Sequence, residues 1–371
     1  MDLLCYNREN GQLDAFLRGF YSKLLKKDTY KKFQECERLD DIIACLDDTV
    51  YEKYFEDEQK FTDIKSFVIQ FKRALAEDYK LFYRYASPLA RKFIDYLSYE
   101  SIIDNIILLL QFSVEERSKP DVINMLDPLG WNNDLELLLH FNGELTELFR
   151  IVLFDTPVGP YFERYLELLR DGNSELNFTL DQIDFELMRV CLIRFWLEDY
   201  YNFVCSLNSN GAQATTRQYL SDVLKKEADY LLLNVTLNTL HGTNKNDISR
   251  REQLFANFGY LYPDITNEAR KFHIDSMLPK LLTTYPEYKE AFLAGCAQYQ
   301  NKKNNNSANY SFEDIMYKNM LNVYDEAFSY QMNFGIFHAY KRIREQESRN
   351  ILWAAEMVSI SSSHFLGINK Q

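Results

Sequence analysis

Apolar residues recur along this chain at steps of three and four. Phe67, Phe71, Ala74, Leu75, Tyr79, Phe82 and Ala86 form one such stripe, the spacing that gathers side chains on a single face of an α-helix. Pro88 interrupts the stripe and suits the first turn of a following helix. Leu89, Phe93, Tyr96, Leu97, Ile103, Ile106 and Leu110 then repeat the spacing, so two consecutive helices of a bundle are expected. No segment alternates apolar with polar residues long enough to suggest a strand, and the predicted fold class is all-α. Glycine (12) and proline (8) are sparse. Loops are expected at Pro120, 171–177, 208–214 and 301–309, the last a Lys/Asn run too polar to pack.

The pattern also repeats. Asp48, Thr49, Tyr54 and Phe55 recur at identical spacing as Asp155, Thr156, Tyr161 and Phe162. Each set precedes a long helix with an acidic-aromatic triplet, Glu77-Asp78-Tyr79 and then Glu198-Asp199-Tyr200. A markedly apolar helix follows in each case, Ile102 to Leu110 and Leu231 to Leu240. A weaker third copy runs from Thr283 through Asp325 and Glu326 to Ile351. Three related helical units are therefore expected, at 1–115, 116–245 and 246–371.

Composition narrows the function classes. The 371 residues, 46% hydrophobic and 15% aromatic, can bury a large core. A net charge of −13 repels nucleic acid and anionic lipid unless local patches offset it, so nucleic acid is not an expected partner. No apolar run reaches the roughly eighteen residues that span a bilayer. Ile102 to Phe112 is broken by Asp104 and Asn105, and Ile351 to Ile360 by Glu356. Met1 to Asn10 carries Asp2, Arg8 and Glu9 without an apolar segment, which predicts no signal peptide and cytosolic synthesis. Six cysteines lack any C-x-x-C pair and read as reduced, partly buried thiols, with neither a disulfide nor a zinc site expected.

Motifs of catalysis are missing. There is no phosphate-cradling G-x-x-x-x-G-K-[ST] and no G-x-S-x-G nucleophile turn, and the five histidines are scattered. No catalytic residue, cofactor or metal is expected. Asp40, Asp41, Asp47 and Asp48 crowd one region, as in prenyl-type synthases that hold magnesium with clustered carboxylates. A D-D-x-x-D site needs a third carboxylate at the position that Ala44 occupies. These acids are expected instead on a solvated helix face, with Asp48 as an N-cap. Glu356, with Arg349, Arg342 and Arg344 nearby in sequence, is expected in a buried or half-buried ion pair. The Asp155-Thr156-Pro157 turn suits the start of a helix.

Several segments resemble, in collinear order, the landmarks of the V-type ATPase subunit d family. They are Gly11 to Phe20, Gln34 to Asp41, Asp155 to Phe162, Leu197 to Phe203, Glu227 to Asp229, Gly259 to Pro263, Phe334 to Tyr340 and Glu345 to Trp353. The resemblance covers about residues 10 to 358. It implies three similar helical units around a pseudo-threefold axis, shaped as a funnel. It further implies a non-catalytic subunit of the membrane sector of a proton pump, joining the central stalk, subunits D and F, to the proteolipid c-ring, with subunit a as a further candidate partner.

The same resemblance implies contact with a membrane only through the complex, on the cytosolic face of a vacuolar, endosomal or other acidified-organelle membrane, or of the plasma membrane. Motif positions supply the candidate partner-binding residues: Asp155, Pro157, Tyr161, Phe162, Glu345, Gln346, Arg349, Asn350 and Glu356. A generic helical scaffold is the alternative. Three features depart from the family pattern: Tyr230 and Leu231 stand where arginines usually follow the Glu-Ala-Asp triplet, Ser359 to Gln371 is serine-rich, and 301–309 is extra.

Overall fold

The structure, a computed structural model, describes residues 3–55, 64–115, 125–130, 152, 156–172, 184–239, 251–270, 282–304 and 311–368. Among these residues all regular structure is helical, as the periodicity predicts: thirteen α-helices and three short 3-10 turns. The helices are α1 (Leu3–Ser22), α2 (Lys27–Phe33), α3 (Leu39–Leu46), α4 (Glu52–Phe55), α5 (Ile64–Tyr85), α6 (Pro88–Glu115) and α7 (Gly159–Gly172). They continue with α8 (Phe185–Cys205), α9 (Gly211–Asn238), α10 (Asp264–Arg270), α11 (Pro286–Asn304), α12 (Phe312–Glu326) and α13 (Gly335–Ile368). The chain divides into two compact units. A terminal unit comprises Leu3–His140 with Ile336–Gln371, and a middle unit comprises Met1–Asp2 with Phe141–Gly335.

In the terminal unit the α5 stripe turns inward: Phe67, Phe71, Ala74, Tyr79 and Phe82 are buried. Phe67 and Phe71 share a core with Phe33, Ile42, Ile43, Leu46, Tyr51 and Phe55. Ile351, Ala355 and Val358, spaced four and three apart on α13, close the same core. Tyr51 meets Phe71 edge to face, with ring centroids 4.9 Å apart.

Helix α6 begins at Pro88, where the sequence places it, and the Ser87 hydroxyl accepts the Ala90 N–H at 3.4 Å. Asn105, which breaks the apolar run, is buried. Its amide donates to the Asp127 carbonyl at 2.9 Å and accepts the Asp127 N–H at 2.7 Å. A polar residue inside α6 thus fastens the Pro128–Gly130 turn to the helix. A Cβ at Gly130 would collide with the Ser101 backbone, so glycine permits this close approach.

In the middle unit α9 is the most enveloped helix, with α8, α10, α11 and α12 packed on it. Its buried side chains point in every direction, from Leu220, Val223 and Leu224 to Tyr230, Leu232 and Leu233. Such all-round burial explains why Leu231 to Leu240 reads as so apolar. Three expected loops are shorter than the sequence suggests, the first because α7 continues to Gly172. Helix α9 starts at Gly211, whose φ of 62° the absence of a Cβ permits, and α11 continues to Asn304. Pro120 and residues 173–177 and 305–309 lie outside the described residues. No helix among the described residues is long and apolar enough to cross a membrane.

Candidate functional site

The repeated motif builds similar contacts in each unit. In the terminal unit the Tyr54 hydroxyl donates to Glu77 Oε2 at 2.6 Å, and Phe55 is buried. In the middle unit the Tyr161 hydroxyl donates to Asp199 Oδ2 at 2.8 Å, and Phe162 is fully buried. Each motif tyrosine therefore ties its turn to an acid of the following triplet, at the first acid in one copy and the second in the other. Tyr161 and Phe162 hold the fold together, whereas Pro157 is exposed and Asp155 lies outside the described residues. Helix α7 starts at Gly159 rather than Pro157, and the Thr156 hydroxyl donates back to the Val152 carbonyl at 2.6 Å instead of capping the helix.

Glu198 gathers cations. It accepts Arg194 Nε at 3.0 Å, Arg164 Nη2 at 3.2 Å and the Asn257 N–H at 3.1 Å. Arg194 also donates to the Gln253 carbonyl. Nearby, Glu227-Ala228-Asp229 and Gly259 to Pro263 come together. The Asp229 carboxylate accepts the N–H groups of Tyr260 and Leu261 and the Tyr288 hydroxyl, each at 3.0 Å. Burial pushes its acidity constant up to about 6 against the opposing pull of these donors. Gly259, at φ 138°, sits where any Cβ would strike Asp229 Oδ1. Tyr230 is core: it meets Tyr288 edge to face at 5.2 Å and accepts from Asn319 Nδ2 at 3.3 Å.

The clustered aspartates serve local structure. Asp41 Oδ2 accepts the N–H groups of Glu37 at 3.0 Å and Arg38 at 2.8 Å. Asp48 adopts φ 61°, and Thr49 rather than Asp48 accepts the Tyr51 N–H, at 3.2 Å. Among the described residues no three His, Cys, Asp or Glu side chains are grouped to hold a metal ion.

Helix α13 carries the densest charge network, all within the terminal unit. Arg344 is buried; Nη1 donates to Glu347 Oε1 at 3.0 Å, Nη2 reaches Asp78 Oδ2 at 3.4 Å, and the guanidinium lies 4.5 Å from the Tyr51 ring centroid. Tyr340 donates to Asp78 Oδ2 at 2.7 Å, and Glu347 also accepts from Tyr51 at 2.7 Å and from the Leu25 N–H at 2.7 Å. One turn earlier Lys341 Nζ meets Glu100 at 2.5 Å and Glu345 at 3.2 Å, while Arg342 bonds both acids. Burial pushes the Glu100 carboxyl up, but Arg342 and Lys341 together hold it well below the usual carboxylate range. Glu345 is thus engaged within its own unit.

The opposite face of α13 is different. Gln346, Arg349, Asn350, Trp353, Glu356 and Met357 follow one another at steps of three and one, which places them on one stripe. Trp353 is 64% exposed and Met357 47%, and Arg349, Asn350 and Glu356 are exposed as well. Gln346 Nε2 donates to Asn350 Oδ1 at 2.8 Å along the stripe. The expected burial of Glu356 is corrected: Ile351, Ala355 and Val358 take the core side, and Glu356 is turned to solvent. Four candidate residues, Gln346, Arg349, Asn350 and Glu356, therefore share a surface. Trp353 and Met357 complete it, and their spacing from Arg349 and Asn350 was the signal for both.

Comparison with known proteins places this geometry in context. The ATP synthase (C/AC39) subunit family matches residues 13–363. A V-type proton ATPase subunit d2 of Arabidopsis thaliana is 32% identical over 360 residues, covering 96% of this chain and 95% of the relative. V-type proton ATPase subunit d of Dictyostelium discoideum is 30% identical over 359 residues, covering 96% and 93%. The Saccharomyces cerevisiae protein of the same name is 27% identical over 361 residues, covering 97% and 96%.

Proposed function

Because the chain belongs to the ATP synthase (C/AC39) subunit family, we propose that it is the d subunit of a V-type proton ATPase, a non-catalytic part of its membrane sector. In this role it couples the central stalk, subunits D and F, to the proteolipid c-ring, with subunit a as a further contact. It would lie on the cytosolic face of a vacuolar, endosomal or other acidified-organelle membrane, or of the plasma membrane. The observation that carries the proposal is the match over nearly the full length of both this chain and its relatives.

A coupling subunit needs a stiff body and an outward surface. Stiffness is supported by the buried Asp78, Arg344 and Glu347 network in one unit and the Glu198 and Asp229 clusters in the other. The outward surface we assign to the exposed α13 stripe, with Trp353 as its apolar anchor and Arg349 and Glu356 supplying charges of both signs. Pro157 is a second exposed candidate. We retain three helical units in a funnel as part of this proposal; the recurrence of the Tyr54–Glu77 contact as Tyr161–Asp199 supports the relation of the first two.

The test is ATP-driven acidification of membrane vesicles from cells depleted of the chain. Loss of proton uptake, restored by adding back the wild-type gene, is expected. Undiminished uptake in its absence would overturn the proposal.

A further inference from the structure

Cys36 and Cys45 are nine positions apart and carry no recognisable spacing motif, yet their sulfurs lie 3.8 Å from each other. Asp41 accepts the N–H groups of Glu37 and Arg38 at the start of α3, and α2 and α3 pack on each other. Both thiols are half-buried against the terminal unit's core, and Cys36 Sγ also donates to the Lys32 carbonyl at 3.3 Å. All six cysteines are free thiols, as the sequence reading expects, and these two are neighbours.

We propose that Cys36 and Cys45 form a modification site, a thiol pair that closes into an intramolecular disulfide when it meets a small disulfide oxidant of the glutathione type. A disulfide bond is about 2 Å long, so the sulfurs need approach by less than a further 2 Å. In the first step one protein thiolate attacks a sulfur of the oxidised glutathione, forming a mixed disulfide and expelling one glutathione thiolate. In the second, the other protein thiol gives up its proton and attacks the protein sulfur of that mixed disulfide, expelling the second glutathione thiolate. Two protein thiols are oxidised, one glutathione disulfide is reduced to two thiols, and the protein's two protons end on them.

Burial, the contact with Cys45 and the nearby acids push the Cys36 thiol up to about 12. Little Cys36 thiolate is present at neutral pH, so its own attack on an oxidant is slow and Cys45 makes the first attack. Closure would staple the α2–α3 link over the core that Ile351, Ala355 and Val358 of α13 also enter.

The experiment incubates the full chain in a glutathione redox buffer at neutral pH, blocks free thiols, and maps peptides without reduction. A Cys36–Cys45 crosslink is expected as the dominant disulfide, reversed by dithiothreitol. In Cys36→Ser, glutathione should instead remain attached at Cys45. Full alkylation of both thiols after oxidation, or as much persistent glutathione on wild-type Cys45 as in Cys36→Ser, would overturn the proposal.

Discussion

Asp78 and Arg344 stand 266 positions apart in sequence and meet 3.4 Å apart inside the terminal unit. Arg344 also bonds Glu347, so one guanidinium balances two carboxylates that the core would otherwise strand. Removing a single partner from a buried charged group typically costs about 3–5 kcal/mol. Arg344→Met should therefore destabilise the protein by about that amount in chemical denaturation. Asp78→Asn, which keeps the shape but loses the charge, should be milder. An unchanged denaturation midpoint in Arg344→Met would show that the network contributes nothing.

Gly259 makes a sharper backbone prediction. Its φ of 138° is one that side-chain-bearing residues rarely adopt, and a Cβ would press on Asp229. Gly259→Ala should lower stability by about 1–3 kcal/mol through strain alone, with a further loss from displacing the carboxylate that caps Tyr260 and Leu261. Thermal unfolding of the variant checks this, and a transition matching wild type would refute it.

Asp229 supplies a pH signature. Its acidity constant is raised from 3.8 to about 6 by burial, so the folded state holds the proton more tightly than the unfolded state does. The resulting stabilisation is fully present below about pH 4 and is lost as pH rises through about 6. Relative to Asp229→Asn, wild type should lose on the order of 3 kcal/mol across that window, a shift of about two units. Denaturation of both proteins at several pH values measures the difference, and a gap that stays constant with pH would contradict the assignment.

The two faces of α13 should separate stability from assembly. Ile351 is fully buried, and Ile351→Ala should cost about 2–5 kcal/mol. Trp353, 64% exposed, should change stability by no more than about 0.5 kcal/mol on replacement by alanine. Trp353→Ala should nonetheless reduce incorporation into the pump severalfold, read by quantitative mass spectrometry of the purified complex. Normal incorporation of a well-folded Trp353→Ala would remove this face from the proposed interface.

Local periodicity made much of the fold legible. The α5 stripe and the start of α6 at Pro88 follow from side-chain spacing and proline geometry alone, and both need no knowledge of distant residues. Contacts between remote segments were not readable that way. Asn105 looked like an interruption of an apolar run, because its partner is backbone at Asp127, whose position only the folded turn fixes. Arg344 was legible as a charge but not as the partner of Asp78. The arginines near Glu356 in sequence suggest an ion pair, whereas the rotation of α13 that buries Ile351, Ala355 and Val358 decides which face it takes. Tyr161 and Phe162, candidates by their motif positions, also recur in the internal repeat, and the structure gives that recurrence a packing cause.

The most direct measurement of the central claim is affinity purification of the tagged chain from native membranes in mild detergent, with mass spectrometry of what remains bound. The proposal predicts recovery of proteolipid together with stalk subunits D and F. Recovery of the chain alone or with unrelated proteins, while an intact pump purifies without it, would contradict it.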